Sequence, residues 1–362
     1  MIHFVIGTRA QLFKMAPVML ECQKRKLNWR WIYTAQHRDT IAQSLNTFGL
    51  PPPDYTVIKW DTEAKTMGKM SRWLFQMLPA LLKGRKILGK YRGKNHIVVT
   101  HGDTITTWWA ALLGKLYRCK VMHVEAGLRS FKLLDPFPEE INRLITSRLA
   151  DYFIAPGESS MKNLRKYKGK KINTTFNTQA DTINFGLNNC DEVVFEVPEH
   201  KYAVASIHRY ENIFKPEKFK RIVDLLEKIA KKFPIYMPQH PATKEQLEKL
   251  PQLKKRLEKN HKIHLVPRLE YLPFIKLIKN SEFVITDGGG NQEELYFMGK
   301  PTLLFRYTTE RPDELGKTAV LSKLNEKTTM DFVKNYKKYR QPRINVPNSP
   351  SSMIVDVLAD FS

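Results

Sequence analysis

The strings VVTHGDT (98–104), MHVEAGLRS (122–130), DPFPEEINR (135–143) and LAD (149–151) decide the reading of this chain. The first two end apolar runs of β type, and the third opens a helical pattern. In an open α/β sheet, ligands bind beyond the carboxyl ends of the strands. The strings set Asp103, Glu125 and Glu139 beside His101, His123, Arg129 and Arg143 at such ends. Carboxylates among arginines there suit acid/base work on an anionic substrate. Each carboxylate has a plainer use as a helix cap or an arginine partner, and Gly-Asp-Thr at 102–104 is a good capping sequence.

Outward from this stretch, strand and helix signals alternate almost throughout. Strands are expected at Ile2–Ile6, Trp31–Thr34, Ile97–Thr100, Lys120–Val124 and Tyr152–Ala155. A second series is expected at Tyr202–Ile207, Ile235–Met237, Ile263–Val266, Phe283–Thr286 and Thr302–Phe305. Short apolar runs separated by helices suit parallel strands buried on both faces. Two doubly wound α/β domains follow, with a linker at Asn184–Pro198. The first takes residues 1–183 and the second 199–345. Polar residues collect just past the strands, among them Gln36, His37, His208, Arg209, His240 and Arg306. A cleft between two domains accounts for that pattern.

The 362 residues suffice for two cores, and no run of about 18 apolar residues predicts a membrane span. The start, MIHFVIGTRA, lacks the features of a secretion signal. Cys22, Cys119 and Cys190 form no metal motif, so free thiols in a reducing cytosol are expected. The net charge of +24 raises polyanion binding. However, the lysines alternate with Glu on helices such as KPEKFKRIVDLLEKIAKKF (215–233), the pattern of a solvated face. No specific nucleic-acid binding is expected.

Asp287-Gly-Gly-Gly-Asn-Gln-Glu-Glu294 follows a strand and opens a helix. Gly288, Gly289 and Gly290 let backbone N–H groups approach a phosphate, and the helix start favours negative charge. Glu294, one turn in, can accept from ribose hydroxyls, which suggests a nucleoside diphosphate. Arg9, Lys14, His208 and Arg209 can neutralise the same diphosphate. A solvent-facing lysine and a structural histidine are the plainer readings of Lys14 and His208.

These strings resemble the UDP-N-acetylglucosamine 2-epimerases, above all the non-hydrolysing bacterial type. The match runs in order through GTRAQLFKMAPV (7–18), AQHR (35–38), THGDT, HVEAGLRS, DPFPEEINR, HRYEN (208–212), PQHP (238–241), TDGGGNQEE (286–294), GKPTLLFR (299–306) and TTERPDE (308–314). The resemblance implies two Rossmann-like domains of the glycosyltransferase-B type, with the active site in the interdomain cleft and a last helix near 351–362 returning to the first domain. It implies interconversion of UDP-GlcNAc and UDP-ManNAc by anti elimination of UDP to 2-acetamidoglucal and re-addition, without a metal or redox cofactor. By position, Asp103, Glu125 and Glu139 would do acid/base work, with His208 and Lys14 in the catalytic set. Arg9, Arg143, Arg209, His240, Gly288–Gly290, Glu294 and Arg311 would bind substrate. A cytoplasmic homodimer joined through the first domain is implied as well, its product feeding surface polysaccharide synthesis.

Several positions depart from the family pattern. Ala10-Gln11 replaces Pro-Glu, and an alanine after the arginine also occurs in the hydrolysing branch, which releases ManNAc and UDP. KMAPV (14–18) is non-hydrolysing in style. Gly288 replaces a serine that donates to phosphate. Phe176 replaces a glycine before Asn177 and Thr178. TMGKMSRWL (66–74) replaces a loop that, with Gln36 and His37, binds an activating second UDP-GlcNAc in bacterial members. Hydrolysis, a modified nucleotide sugar, glycosyl transfer and polyanion binding on an inactive scaffold are the competing readings. Glycosyl transfer does not explain three clustered carboxylates.

Overall fold

The computed structural model describes residues 1–36, 41–58, 67–133, 137–309 and 311–362. Two compact units divide the chain. One takes Met1–Thr182 with Val346–Ser362, and the other takes Ile183–Asn345. Each is built on one parallel sheet.

In the first unit the strands are β1 (Ile2–Ile6), β2 (Trp29–Tyr33), β3 (Tyr55–Thr56), β4 (Ile97–His101), β5 (Lys120–Val124), β6 (Tyr152–Ala155) and β7 (Lys170–Asn173). They lie in the order 3-2-1-4-5-6-7. In the second they are β8 (Ala203–Ser206), β9 (Ile235–Pro238), β10 (Ile263–Val266), β11 (Phe283–Thr286), β12 (Thr302–Leu304) and β13 (Ala319–Leu321), in the order 10-9-8-11-12-13. Both orders are Rossmann-like, and two such units in one chain give the glycosyltransferase-B class. Each order reverses once, between β1 and β4 and between β8 and β11. Loops leaving the carboxyl ends of those strands therefore flank an open crevice in each unit.

Three strands, β3, β7 and β13, were not expected. All lie at or near sheet edges, where one neighbour suffices and apolar alternation is weak. β7 reads KKIN, with a single apolar residue. The segment expected as a linker also differs, because residues 184–189 continue the helix Gln179–Asn189. Its polar composition suggests a linker, yet Ile183 and Cys190 are buried and a Cβ on Gly186 would come within 3.0 Å of the Tyr271 ring. The three cysteines are buried free thiols.

Packing follows the helical period. Helix Pro216–Ala230 turns Phe219, Ile222, Val223, Leu226 and Ile229 onto the second sheet. In the first unit, Trp73, Met77, Trp109 and Leu113 fill the layer over Val5 and Val98. Each fully buried side chain of this size contributes about 2–3 kcal/mol. Helix Arg9–Lys24 contains Pro17, which cannot donate to the Phe13 carbonyl one turn back. The buried Thr182 hydroxyl donates to that carbonyl instead, at 2.8 Å. The same helix packs on helix Pro350–Leu358, and Arg25 bonds Ser352 and Asp356 across the contact.

Candidate active site

At the first unit's crevice, Thr8 caps helix Arg9–Lys24 and Gln11 completes a capping box. Gln11 does more than cap. Its Oε1 accepts from the N–H groups of Gly7 and Thr8 at 2.9 and 3.2 Å. Its Nε2 donates to the His101 carbonyl at 2.7 Å and to Thr104 Oγ1 at 3.0 Å. One buried amide thus ties the loop after β1 to the loop after β4. A glutamine suits this place because it offers an acceptor on one side and donors on the other. Gln11→Ala would leave the Gly7 and Thr8 N–H groups without their acceptor and the His101 carbonyl with Thr107 alone. It is expected to cost about 2–3 kcal/mol, read as a lowered urea midpoint. An unchanged midpoint would mean that the two loops hold their places without it.

Asp103 and Glu125 follow the strands beside this tie, and Glu139 opens the helix whose Asn142 and Arg143 bond Asp103. Glu125 follows β5 with φ of 63°, a left-handed backbone rare for a residue with a side chain. Its carboxylate accepts from Lys14 Nζ at 2.6 Å and from Asn177 Nδ2 at 3.2 Å. His101 Nε2 lies 3.2 Å from its other oxygen, off the line of a hydrogen bond. Asp103 follows β4 and pairs with Arg143. Burial pushes its carboxyl above the ordinary carboxylate value, Arg143 opposes that, and the nearby Glu125 charge adds to it. The capping alternative for Asp103 fails, since Thr104 holds the cap position of helix Ile105–Leu116 and bonds Thr107.

Glu139 and Glu140 open helix Glu139–Leu149, and the structure divides their work. Glu140, not singled out in the sequence, is fully buried and receives Arg129, Arg143 and the Ser130 N–H. Burial works to raise its carboxyl, but those donors overcome it and hold it low. Glu139 is only partly buried. One of its oxygens is shielded from solvent without a hydrogen-bond partner among the described residues. Spacing could not choose between the two, because Arg143 stands three residues after one and four after the other. Arg9 lies over the Phe13 ring at 4.9 Å.

His3, His101 and His123 are buried structural groups. Burial lowers His3, His101 and His123 each from 6.5 to about 4. His123 Nε2 lies 2.7 Å from the Gly102 carbonyl and so fixes the loop carrying Asp103. In the unfolded chain these rings protonate near pH 6.5, and in the folded chain near 4. Stability present above 6.5 is therefore lost progressively as pH falls towards 4. Asp103, Asp181 and Glu314, the last pushed up by burial to about 7, work in the opposite sense, but three histidines outweigh them. The urea midpoint at pH 5 is expected well below that at pH 7, and equal midpoints would contradict it.

At the second unit's crevice the organiser is Asp287, fully buried after β11. Its carboxylate accepts from the His208 and Arg209 N–H groups at 2.9 and 3.0 Å and from Asn212 Nδ2 at 2.9 Å. Asn212 also donates to the Phe305 carbonyl. The loop after β8 is thus pinned beside helix Gly289–Phe297, with Gly288 at its cap position. A Cβ on Gly288 would come within 2.7 Å of the His208 ring, so the missing serine matches the position of that ring. Above Gly290 a Cβ would meet nothing within 4 Å. The His208 and His240 rings lie 5.1 Å apart. His240 is exposed and its Nδ1 accepts from the Ala242 N–H, capping helix Pro241–Lys249.

Two residues expected at the substrate have other bonds. Arg311 Nη2 holds Glu293 at 2.6 Å, and the Arg311 carbonyl accepts from Gln292. Arg209 Nη2 lies 3.2 Å from Glu211. Glu294 sits partly buried on helix Gly289–Phe297. Gln36 is buried and accepts from Thr106, while Thr174 Oγ1 donates to the Phe176 carbonyl. His37, Arg38, Thr66, Asp135 and Glu310 lie outside the described residues. Among the described residues no group of His, Cys, Asp or Glu is arranged to hold a metal ion, and no helix is long and apolar enough to cross a membrane.

Residues 20–349 match the family model described as UDP-N-acetylglucosamine 2-epimerase. The chain is 34% identical over 320 residues to UDP-N-acetylglucosamine 2-epimerase of Bacillus subtilis (strain 168), covering 85% of this chain and 79% of that one. It is 32% identical to the enzyme of the same name from Neisseria meningitidis, with 98% of each covered. Among solved structures, the Methanocaldococcus jannaschii UDP-GlcNAc 2-epimerase in complex with UDP-GlcNAc and UDP superimposes with a TM-score of 0.78. The two are 29% identical, and 99% of each chain is covered.

Proposed function

The chain belongs to the UDP-N-acetylglucosamine 2-epimerase family, and from that premise we propose that it interconverts UDP-GlcNAc and UDP-ManNAc while keeping UDP for re-addition. The observation that carries the reading is the first unit's cluster, where Asp103, Glu125 and Glu139 stand in unlike surroundings. Lys14 neutralises Glu125, burial favours the protonated form of Asp103, and Glu139 keeps one oxygen without a partner among the described residues. Carboxyls in such unlike surroundings suit the two roles, base and acid, that the reaction needs.

C2 of the sugar has no carbonyl beside it, so its proton is not acidic enough for simple removal and return. In the anti elimination a carboxylate takes the C2 proton. The C–H electron pair becomes the C1=C2 bond of 2-acetamidoglucal, and the C1–O pair leaves with UDP. Re-addition of the UDP oxygen to C1, with a proton delivered to the other face of C2, gives the epimer. Arg9, Arg143, His208 and Arg209 are assigned to the diphosphate charge, with Arg143 also holding Asp103. Gly288–Gly290 and the helix they open are assigned to phosphate, and Glu294 to the ribose. His240 and Arg311 complete the proposed substrate-binding set. We place the enzyme in the cytosol as a homodimer. The exposed Phe75, Leu78, Leu82 and Leu116 of the first unit support self-association, and light scattering tests it.

Proton NMR of the protein with UDP-GlcNAc in heavy water tests the reaction. UDP-ManNAc carrying deuterium at C2 is the expected product. Free ManNAc with UDP would move the chain to hydrolysis, and an untouched substrate that still binds would point to another nucleotide sugar.

A further inference from the structure

The amino edge of the first sheet holds a cavity of about 550 Å³ that the reaction does not use. β5 begins at Lys120, β6 at Tyr152 and β7 at Lys170, and all three residues line it. The acid/base cluster follows the carboxyl ends of β4 and β5, a strand length away (roughly 15 Å). The cavity is therefore separate from the candidate active site.

Its wall is strongly basic. Lys115, Lys120, Arg148, Lys166, Lys168 and Lys170 contribute cations, and Asp151 contributes the one acid of the lining. Asp151 engages Lys115 at 2.7 Å and Lys120 at 3.9 Å. Lys115 and Arg148 sit in the last turns of helices, where the dipole alone would favour a cation. Lys166 likewise follows the end of helix Glu158–Leu164, but that explanation does not reach Lys168 and Lys170, and none of the three has an acidic partner among the described residues.

The loop that carries these three is fixed in place. Gly169, at φ of 126°, lies so close to the Asp151 backbone that a Cβ would meet its carbonyl oxygen at 2.5 Å. The Lys170 N–H donates to the same carbonyl at 2.9 Å. Lys171 Nζ bonds the Tyr167 carbonyl at 2.7 Å, tying the turn from its other side. A concave, tethered set of lysine point charges, with little acid to neutralise it, fits several phosphate groups held close together.

We propose that this cavity is a second anion site, taking a ligand with several adjacent phosphates. Such a ligand is either a soluble polyphosphate or a multiply phosphorylated lipid headgroup. The test is calorimetric titration of tripolyphosphate into the full chain saturated with UDP. One molecule is expected to bind, and Lys168→Glu with Lys170→Glu is expected to weaken it about tenfold or more. The same charge change at Lys255 and Lys259, exposed on helix Pro251–Lys259, is expected to weaken it less than about twofold. Turnover should be unchanged in both double variants, which shows that each is folded. Vesicles with phosphatidylinositol bisphosphate that capture the wild-type chain but not the Lys168/Lys170 variant assign the lipid source. Tripolyphosphate binding without capture assigns the soluble one. Absence of binding beside UDP, or equal weakening in the two double variants, overturns the site and leaves only the diffuse charge of the chain.

Discussion

Glu125→Gln is expected to lower turnover by about 10²–10⁴-fold while UDP affinity changes little. The carboxylate sits at a left-handed backbone position and receives Lys14 on one oxygen, with Asn177 sharing it. The amide keeps the shape but cannot take a proton, and it offers Lys14 a weaker acceptor. Asp103→Asn and Glu139→Gln should fall in the same range, because elimination and re-addition need proton transfer on both faces of C2. Single-turnover assays with separate UDP titrations check this. Near wild-type turnover in all three variants would remove the carboxylates from the chemistry. A parallel fall in UDP affinity would instead assign Glu125 to shaping the crevice.

The second large effect is on stability. Asp287→Ala is expected to cost about 3–5 kcal/mol and to weaken UDP binding as well. Its carboxylate is fully buried and is the acceptor for the His208 and Arg209 N–H groups and the Asn212 amide. Alanine leaves the His208 and Arg209 N–H groups without their acceptor and the Asn212 amide with the Phe305 carbonyl alone. His208 then loses the backbone hold that sets its ring over Gly288. Urea unfolding gives the stability, and UDP titration of the fraction still folded gives the affinity. A loss under about 1 kcal/mol would mean that water reaches these donors and that Asp287 does not organise the loop.

Much of this architecture was legible in the chain. The apolar runs marked the central strands, and polar residues at their ends marked the crevices. β3, β7 and β13 escaped because an edge strand needs few apolar residues. The helix through 184–189 escaped because its exposed face carries the polar residues. Within the sites, the charged side chains stood out while the groups that hold them did not. Gln11, Glu140, Asp287 and Asn212 act through backbone N–H and carbonyl groups brought together from distant residues. Nothing in local spacing marks such partners. In the sequence Asp287 stands out only as the residue before three glycines.

Thr182 and helix Pro350–Leu358 bear on the order in which this protein can be made. The first helix depends on residue 182 for the carbonyl that Pro17 strands, and it packs against residues near 350–358. The ribosome releases those residues only after the whole of Ile183–Asn345 has emerged. The second unit, continuous in sequence, can close first, while the first waits for its last helix with apolar surface uncovered. During that interval the nascent chain is open to chaperones and to aggregation.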